Sequence, residues 1–261
     1  MRILFIGDII GKPGRRMVAR HLARLQQEYT VDFTIANGEN ATGGAGLNRA
    51  SFRELHELGI DAFTMGNHTW GHKELEQFID QEKRIIRPGN LSAKPLPGSW
   101  YQYYKVGEKE LLLINLIGRV YMQPAECPFA AFDNLLSNME KATPYIFLDF
   151  HAEATSEKMA MAWYADGRIS ALAGTHTHIQ TNDARVLPKG TGYVTDAGMT
   201  GPRDSILGVE KQIIIEKFLR QKSRRFEPAG GDLQFNGVLY DLAADGHCQA
   251  VELINFWETA I

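Results

Sequence analysis

Met1-Arg2-Ile3-Leu4-Phe5-Ile6-Gly7-Asp8 opens the chain, and Gly11-Lys12-Pro13-Gly14 follows shortly after. The short apolar run halted at Asp8 reads as a buried strand. The Gly-Lys-Pro-Gly stretch reads as a turn, and Val18, Leu22 and Leu25 then recur at helical spacing. The same grammar repeats downstream. An apolar run over 31–36 is closed by Asn37-Gly38-Glu39-Asn40, and a glycine-rich loop over 42–46 leads to a helix over 51–58. A strand over 61–65 is closed by Gly66-Asn67-His68. Strands alternating with helices predict βαβ units and a largely parallel sheet, so the fold class is α/β. Further on, 101–106 and 111–116 form a hairpin around Gly107-Glu108, and 129–139 reads as a helix. A strand over 145–150 ends at His151, and one over 168–173 ends at Gly174-Thr175-His176-Thr177-His178. A second hairpin pairs 237–242 with 249–256, turning at Asp245-Gly246. No internal repeat or linker interrupts the pattern, so residues 1–261 are expected to form a single domain.

Composition excludes several classes of function. The 261 residues are 44% hydrophobic and 23% charged, which is ordinary for a packed globular protein and too apolar for a disordered one. Lys and Arg total 28 against 31 Asp and Glu, a net charge of −3, which argues against a broadly basic nucleic-acid binder. The one dense cationic run, 217–225, reads as a solvated helix end. Cys127 and Cys248 lie far apart without CxxC spacing and read as small buried side chains, neither a disulfide framework nor a thiolate metal site. No apolar stretch approaches the roughly 18 residues of a membrane span, and no cleavable leader is visible. A cytoplasmic location with no membrane partner is the expectation.

The informative pattern is where the polar residues fall. Five strand-like runs end in Asp8, in Glu39 and Asn40, in Asn67 and His68, in His151, and in His176 and His178. Ligands of open α/β sheets bind beyond the carboxyl ends of the strands, so neighbouring strands would bring all eight side chains to one rim. No G-x-S-x-G elbow or P-loop is present, and Gly11-Lys12-Pro13-Gly14 is only a weak phosphate-loop lookalike. Carboxylate, amide oxygen and imidazole suit a borderline transition metal. Asp8, Glu39, Asn40, Asn67, His151, His176 and His178 are too many ligands for one ion and suit two, with one carboxylate shared. Two divalent ions, two carboxylates and a bridging hydroxide leave about one net positive charge, which attracts an anionic phosphate ester.

These residues resemble the calcineurin-like metallophosphoesterase superfamily, whose motifs here read Gly7-Asp8, Gly38-Glu39-Asn40, Gly66-Asn67-His68, Phe150-His151 and Gly174-Thr175-His176-Thr177-His178. More narrowly, the chain is similar to the YmdB family of bacterial phosphodiesterases. The resemblance rests on MRILFIGDIIGKPGR (1–15), IANGENATGGAGL (35–47), MGNHTWGHKE (65–74), DFHAEATSEK (149–158), GTHTHIQT (174–181) and DAGMTGP (196–202). Two departures from the broad superfamily fit the narrower family. Ile9 and Ile10 follow Asp8 where Asp-x-His is usual, and Glu39, followed by Asn40, stands in place of the bridging Asp.

The resemblance implies a two-sheet α-β-β-α sandwich of the metallo-dependent phosphatase type. It implies two divalent transition-metal ions, Fe or Mn first and Zn or others as alternatives. Asp8, Glu39 and His178 would hold the first ion. Glu39, Asn40, Asn67, His151 and His176 would hold the second, with Glu39 bridging. His68 would be the general acid, and a metal-bridging hydroxide the nucleophile. The implied substrate is a small-molecule phosphodiester, a nucleoside 2′,3′-cyclic phosphate such as 2′,3′-cAMP. A stable nucleic-acid complex is not expected, and a homo-oligomer is compatible with the reading. The alternatives are a broader phosphomonoesterase or phosphodiesterase and a regulatory nucleotide-binding metalloprotein. The other histidines, His21, His56, His72 and His247, read as structural or solvated, with His72 the first exception to consider. Phe150 and Trp70 read as core residues rather than base-stacking ones. The glycines from Gly43 to Gly46 either admit substrate to the backbone or relieve a turn.

Overall fold

A computed structural model describes residues 1–139, 141–222 and 225–259. The chain runs β1 (Arg2–Ile6), β2 (Asp8–Ile9), α1 (Gly11–Glu28), β3 (Phe33–Asn37), α2 (Arg49–Glu57), β4 (Ala62–Thr64) and β5 (Ile85–Ile86). It continues through β6 (Tyr101–Val106), β7 (Lys109–Ile117), α3 (Pro128–Ser137), β8 (Tyr145–His151), α4 (Thr155–Ala165), β9 (Ala171–Thr175), β10 (Arg185–Val186) and β11 (Gly192–Val194). β12 (Met199–Pro202), α5 (Lys211–Arg220), β13 (Leu233–Leu242) and β14 (Cys248–Glu258) complete it.

Two sheets form, not the one largely parallel sheet that the alternation of elements suggests. The first has the order β2-β12-β13-β1-β3-β4-β5 with β14 on β13; the second is β10-β11-β9-β8-β7-β6. Each keeps a parallel centre, β1-β3-β4-β5 in one and β7-β8-β9-β11 in the other. Antiparallel strands flank them: the β13–β14 hairpin against β1, and β6 and β10 at the edges of the second sheet.

Side-chain alternation explains the layering. In β1, Ile3 and Phe5 enter a core between the sheets with Leu111, Leu113 and Phe147, while Leu4 and Ile6 pack beneath Met17, Val18 and Leu22 of α1. In β7, Leu112, Ile114 and Leu116 face outward onto Phe132 of α3 and Met161 of α4. Strands buried on both faces read as continuous apolar runs. The result is the two-sheet α-β-β-α sandwich, with Phe5 stacked on Phe147 across its middle at 5.5 Å.

Several local expectations need correction. Gly11-Lys12-Pro13-Gly14 is the first turn of α1 itself, not a turn before it, because Pro is tolerated in a first helical turn. The strand expected over 168–173 begins at Ala171 and runs through Gly174 to Thr175, following its pairing with β8. The strands bearing the polar residues belong to both sheets, so the rim is shared between them. Phe150 is core, but Trp70 is 37% exposed. Cys248 is buried as expected, and Cys127 only partly so. The cationic run over 217–225 ends α5, with positions 223–224 outside the described residues. Among the described residues, no helix is long and apolar enough to cross a membrane.

Candidate metal centre

The singled-out polar residues meet where the carboxyl ends of the parallel strands face each other. Asp8 follows β1, Glu39 and Asn40 follow β3, and Asn67 and His68 follow β4. His151 is the last residue of β8, and His176 and His178 follow β9. Asp8, Glu39, Asn40 and His151 are buried, and the remaining four are partly so.

Two groups of donors result. Around His151 Nε2 stand Asn67 Oδ1 at 2.8 Å, His176 Nδ1 at 3.0 Å and Glu39 Oε1 at 3.3 Å. Donor atoms of Glu39, His151 and His176 all lie within 4.8 Å of one another. Around His178 Nε2 stand Asn40 Nδ2 at 3.3 Å and Asp8 Oδ1 at 3.6 Å. Asn40 Nδ2 also reaches Glu39 Oε1 at 3.3 Å, so Asn40 and Glu39 join the groups. The structure therefore sets Asn40 beside Asp8 and His178 as well as Glu39, whereas the resemblance assigned it with the His151 group alone.

Each imidazole has its outward nitrogen occupied. The Thr175 hydroxyl donates to Asp149 Oδ1 at 2.7 Å, so its oxygen accepts from His151 Nδ1 at 2.9 Å. His176 Nε2 faces Glu153 Oε2 at 3.1 Å, and His178 Nδ1 donates to the Leu207 carbonyl at 2.9 Å. Such outer partners set the tautomer and aim the other nitrogen's lone pair inward, as in metal-bound histidines. His151 Nε2 and His176 Nδ1 then lie 3.0 Å apart, and a cation between them would engage both nitrogens once His151 is neutral.

Electrostatics point the same way. Asp8 and Glu39 are buried carboxylates whose ion-pair partners among the described residues are histidines alone. Burial pushes the Asp8 carboxyl up, but His178, with His151 and the His176 amide, outweighs it and holds it below the usual range. Burial likewise pushes Glu39 up, while His151 and His68 bring it below the ordinary value. His178 responds in reverse: burial lowers it, and Asp8 lifts it to about 9. His176, buried beside His151, falls to about 3 and is neutral. Buried carboxylates are costly, and divalent cations balance them. The donors are carboxylate, amide oxygen and imidazole, so the residues fit divalent transition ions. Gly66 makes the crowding possible, since a Cβ there would sit 2.3 Å from His151 Nε2 and 2.5 Å from Glu39 Oε2.

His68 lies beside this group with its side chain 44% exposed. Its Nδ1 bonds Asn40 Oδ1 at 2.7 Å, which leaves Nε2 free to serve a ligand, and its backbone N–H donates to Glu39 Oε2 at 2.8 Å. The four other histidines have partners elsewhere: His21 with Glu258, His56 with the Ile60 carbonyl, His72 with the Glu74 amide and His247 with Asp245.

Sequence reading missed the supports. His176 and His178 both adopt left-handed φ, 98° and 65°, a strained conformation for non-glycine residues. Thr177 between them is clamped: Asp196 Oδ2 accepts its N–H at 3.0 Å and its hydroxyl at 2.7 Å. The same oxygen takes Lys158 Nζ at 2.6 Å, an ion pair with no exposure on either side. Asp196 Oδ1 accepts from Gly198 N at 2.8 Å, and the Gly198 carbonyl in turn accepts the Asp8 amide at 3.0 Å. One carboxylate thus ties the His-Thr-His turn to the Asp8 strand. Lys158 and Asp196 lie in the stretches 149–158 and 196–202, whose specificity was visible without its physical reason.

The site opens into a cavity of about 450 Å³. Glu39, Asn40, His68, His176 and His178 line it, together with Gly43 and Gly44, both at positive φ. Trp70 is not among its lining residues.

A family model described as YmdB-like protein matches residues 4–254. The chain is similar to the 2′,3′-cyclic-nucleotide 2′-phosphodiesterase of Bacillus subtilis strain 168, with 51% identity over 242 residues, covering 93% of this chain and 91% of that protein. Among solved structures, it resembles a hypothetical protein from Thermus thermophilus, with TM-score 0.93, 43% identity and coverage of 99% and 100% of the two chains. It also resembles a structure described as a novel phosphatase from Mycoplasma pneumoniae, with TM-score 0.94, 32% identity and coverage of 99% and 94%.

Proposed function

Because the chain belongs to the YmdB-like protein family, we propose that it is a metal-dependent phosphodiesterase acting on nucleoside 2′,3′-cyclic phosphates. Water adds across the P–O2′ bond and the phosphate stays on the 3′ oxygen. The observation that carries this reading is the set of three imidazoles around two buried carboxylates, with His151 and His178 tied outward by hydrogen bonds and His176 Nε2 facing the Glu153 carboxylate.

Two divalent ions are the proposed cofactors, and when bound they supply a water of lowered pKa and neutralise the phosphoryl oxygens. Asp8, Glu39 and His178 would hold one ion. Glu39, Asn67, His151 and His176 would hold the other, with Glu39 shared. Asn40 joins this ligand set and also fixes His68 through Nδ1. With Nδ1 held, His68 presents Nε2 to the cavity, where a proton on that nitrogen can pass to the departing 2′ oxygen. The Thr175–Asp149 pair keeps the proton of His151 on Nδ1.

The test is elemental analysis of protein purified without added metal, followed by hydrolysis of 2′,3′-cAMP, 3′,5′-cAMP, bis-p-nitrophenyl phosphate and p-nitrophenyl phosphate. About two ions per chain and turnover of 2′,3′-cAMP well above that of the monoester are expected. A single ion under metal-replete conditions sinks the paired site. Activity on the monoester alone makes the protein a phosphomonoesterase.

A further inference from the structure

Besides the candidate ligands, the cavity is lined by Ile206, Leu207, Val209, Phe218 and Phe226. A phosphoryl group displaces only a few waters of about 30 Å³ each, so most of a 450 Å³ cavity is left for the organic part of an ester. The wall is tied to the chemistry by one turn. Ile206 and Val209 exchange backbone hydrogen bonds at 2.9 and 3.0 Å, and between them Leu207 and Gly208 have φ of 53° and 91°. Positive φ at both central positions is the type I′ pattern, which favours Asn or Asp followed by Gly. Leucine there is strained, and its side chain, 45% exposed, is not compensated by core packing. Its carbonyl holds His178 Nδ1. The turn that aims a metal ligand therefore also extends an apolar side chain into the space beside it.

From this geometry we infer that the Leu207 turn and Phe226 form the nucleobase subsite, taking the base by apolar contact and stacking. The inference rests on the reading that the substrate is a nucleoside cyclic phosphate. These five side chains carry no donor or acceptor to read a base edge, so the subsite is tolerant of base identity. Lys217 also lines the cavity, with Nζ 5.0 Å from the centre of the Phe226 ring, so it covers part of the aromatic surface rather than reading a base.

The experiment compares kcat/KM for the four nucleoside 2′,3′-cyclic phosphates and for glycerol 1,2-cyclic phosphate, which has no base. Wild type, Phe226→Ala and Leu207→Asn are assayed with metal content measured in parallel. Leu207→Asn suits the turn's φ and keeps its carbonyl, so it removes apolar surface without threatening the fold. In wild type, the four nucleotides should fall within about tenfold of each other and all exceed the base-free ester. Losing a stacking partner corresponds to roughly tenfold, so the adenosine-to-glycerol ratio should fall by about that factor in each variant. An unchanged ratio, or equal losses on both substrates, overturns the subsite. Binding separates this inference from the reaction it rests on. If wild type hydrolyses no cyclic phosphate, the reaction reading fails. Calorimetry of adenosine 3′-monophosphate against inorganic phosphate on the metal-loaded protein then decides the subsite. A margin for the nucleotide that shrinks in both variants supports it, and equal binding of the two probes overturns it.

Discussion

The two walls of the cavity are built on opposite terms. On the metal-ligand side, His151 reaches Asp149 through Thr175, and the His176–His178 turn is clamped by Asp196, itself neutralised by a fully buried lysine. In the apolar part of the lining, Phe218 is 80% exposed and α5 has a single buried residue, Ile214. Ligand positions must be held to fractions of an ångström, and only satisfied hydrogen-bond networks in a close-packed interior do that. A surface that receives an apolar ring needs area rather than direction, so it tolerates loose packing. On the proposed reading, chemistry belongs to the rigid wall and substrate tolerance to the soft one.

The comparison breaks most directly at the shared carboxylate. Glu39→Gln should reduce metal content below one ion per chain and lower hydrolysis to background, because the charge common to both groups is gone. Elemental analysis and the 2′,3′-cAMP assay read both. His68→Ala should keep its metals and lose about 10²- to 10⁴-fold in kcat on 2′,3′-cAMP. The loss should shrink on bis-p-nitrophenyl phosphate, whose leaving group departs without a proton; equal losses on both substrates would move His68 from proton donor to phosphate binder.

Lys158→Met tests whether the rigid wall depends on its buried tether. It leaves Asp196 charged and unpaired, which costs about 3–5 kcal/mol of stability. Lys158→Met with Asp196→Asn should recover part of that in denaturant titration yet still bind metal about tenfold or more weakly, since Lys158 no longer braces the Thr177 clamp. Full recovery of both stability and metal affinity would show that the tether does not position the turn. The smallest effect belongs to the soft wall. Phe218→Ser should change stability by less than about 0.5 kcal/mol and leave metal content unaltered. A large drop in Tm would mean that this wall is packed more tightly than its exposure indicates.

Every residue of the candidate metal cluster was legible in the chain because polar side chains placed just after buried strands interrupt long apolar runs. Asp8, Glu39, Asn67, His151 and His176 stand out for that local reason alone. The helices were uneven. α1 announced itself through Val18, Leu22 and Leu25, whereas α4 has apolar residues spread around its circumference, and α5 turns Phe218 and Leu219 to solvent. α4 lacks the single apolar stripe by which a surface helix is read, and α5 carries one through Ile214, Ile215, Phe218 and Leu219 but leaves most of it exposed.

What the sequence determined by itself is therefore local: where strands stop, which residues can ligate, and how charge is distributed. Tertiary structure decided that the candidate ligands come from two facing sheets, that Asn40 lies between the donor groups and holds His68, and that Lys158 and Asp196 brace the turn between His176 and His178. Those facts depend on pairs separated by tens of residues or more, such as Lys158 with Asp196 and Asn40 with His178. Periodicity reports which face of an element is buried; which distant side chain it meets there is set by sheet order and register.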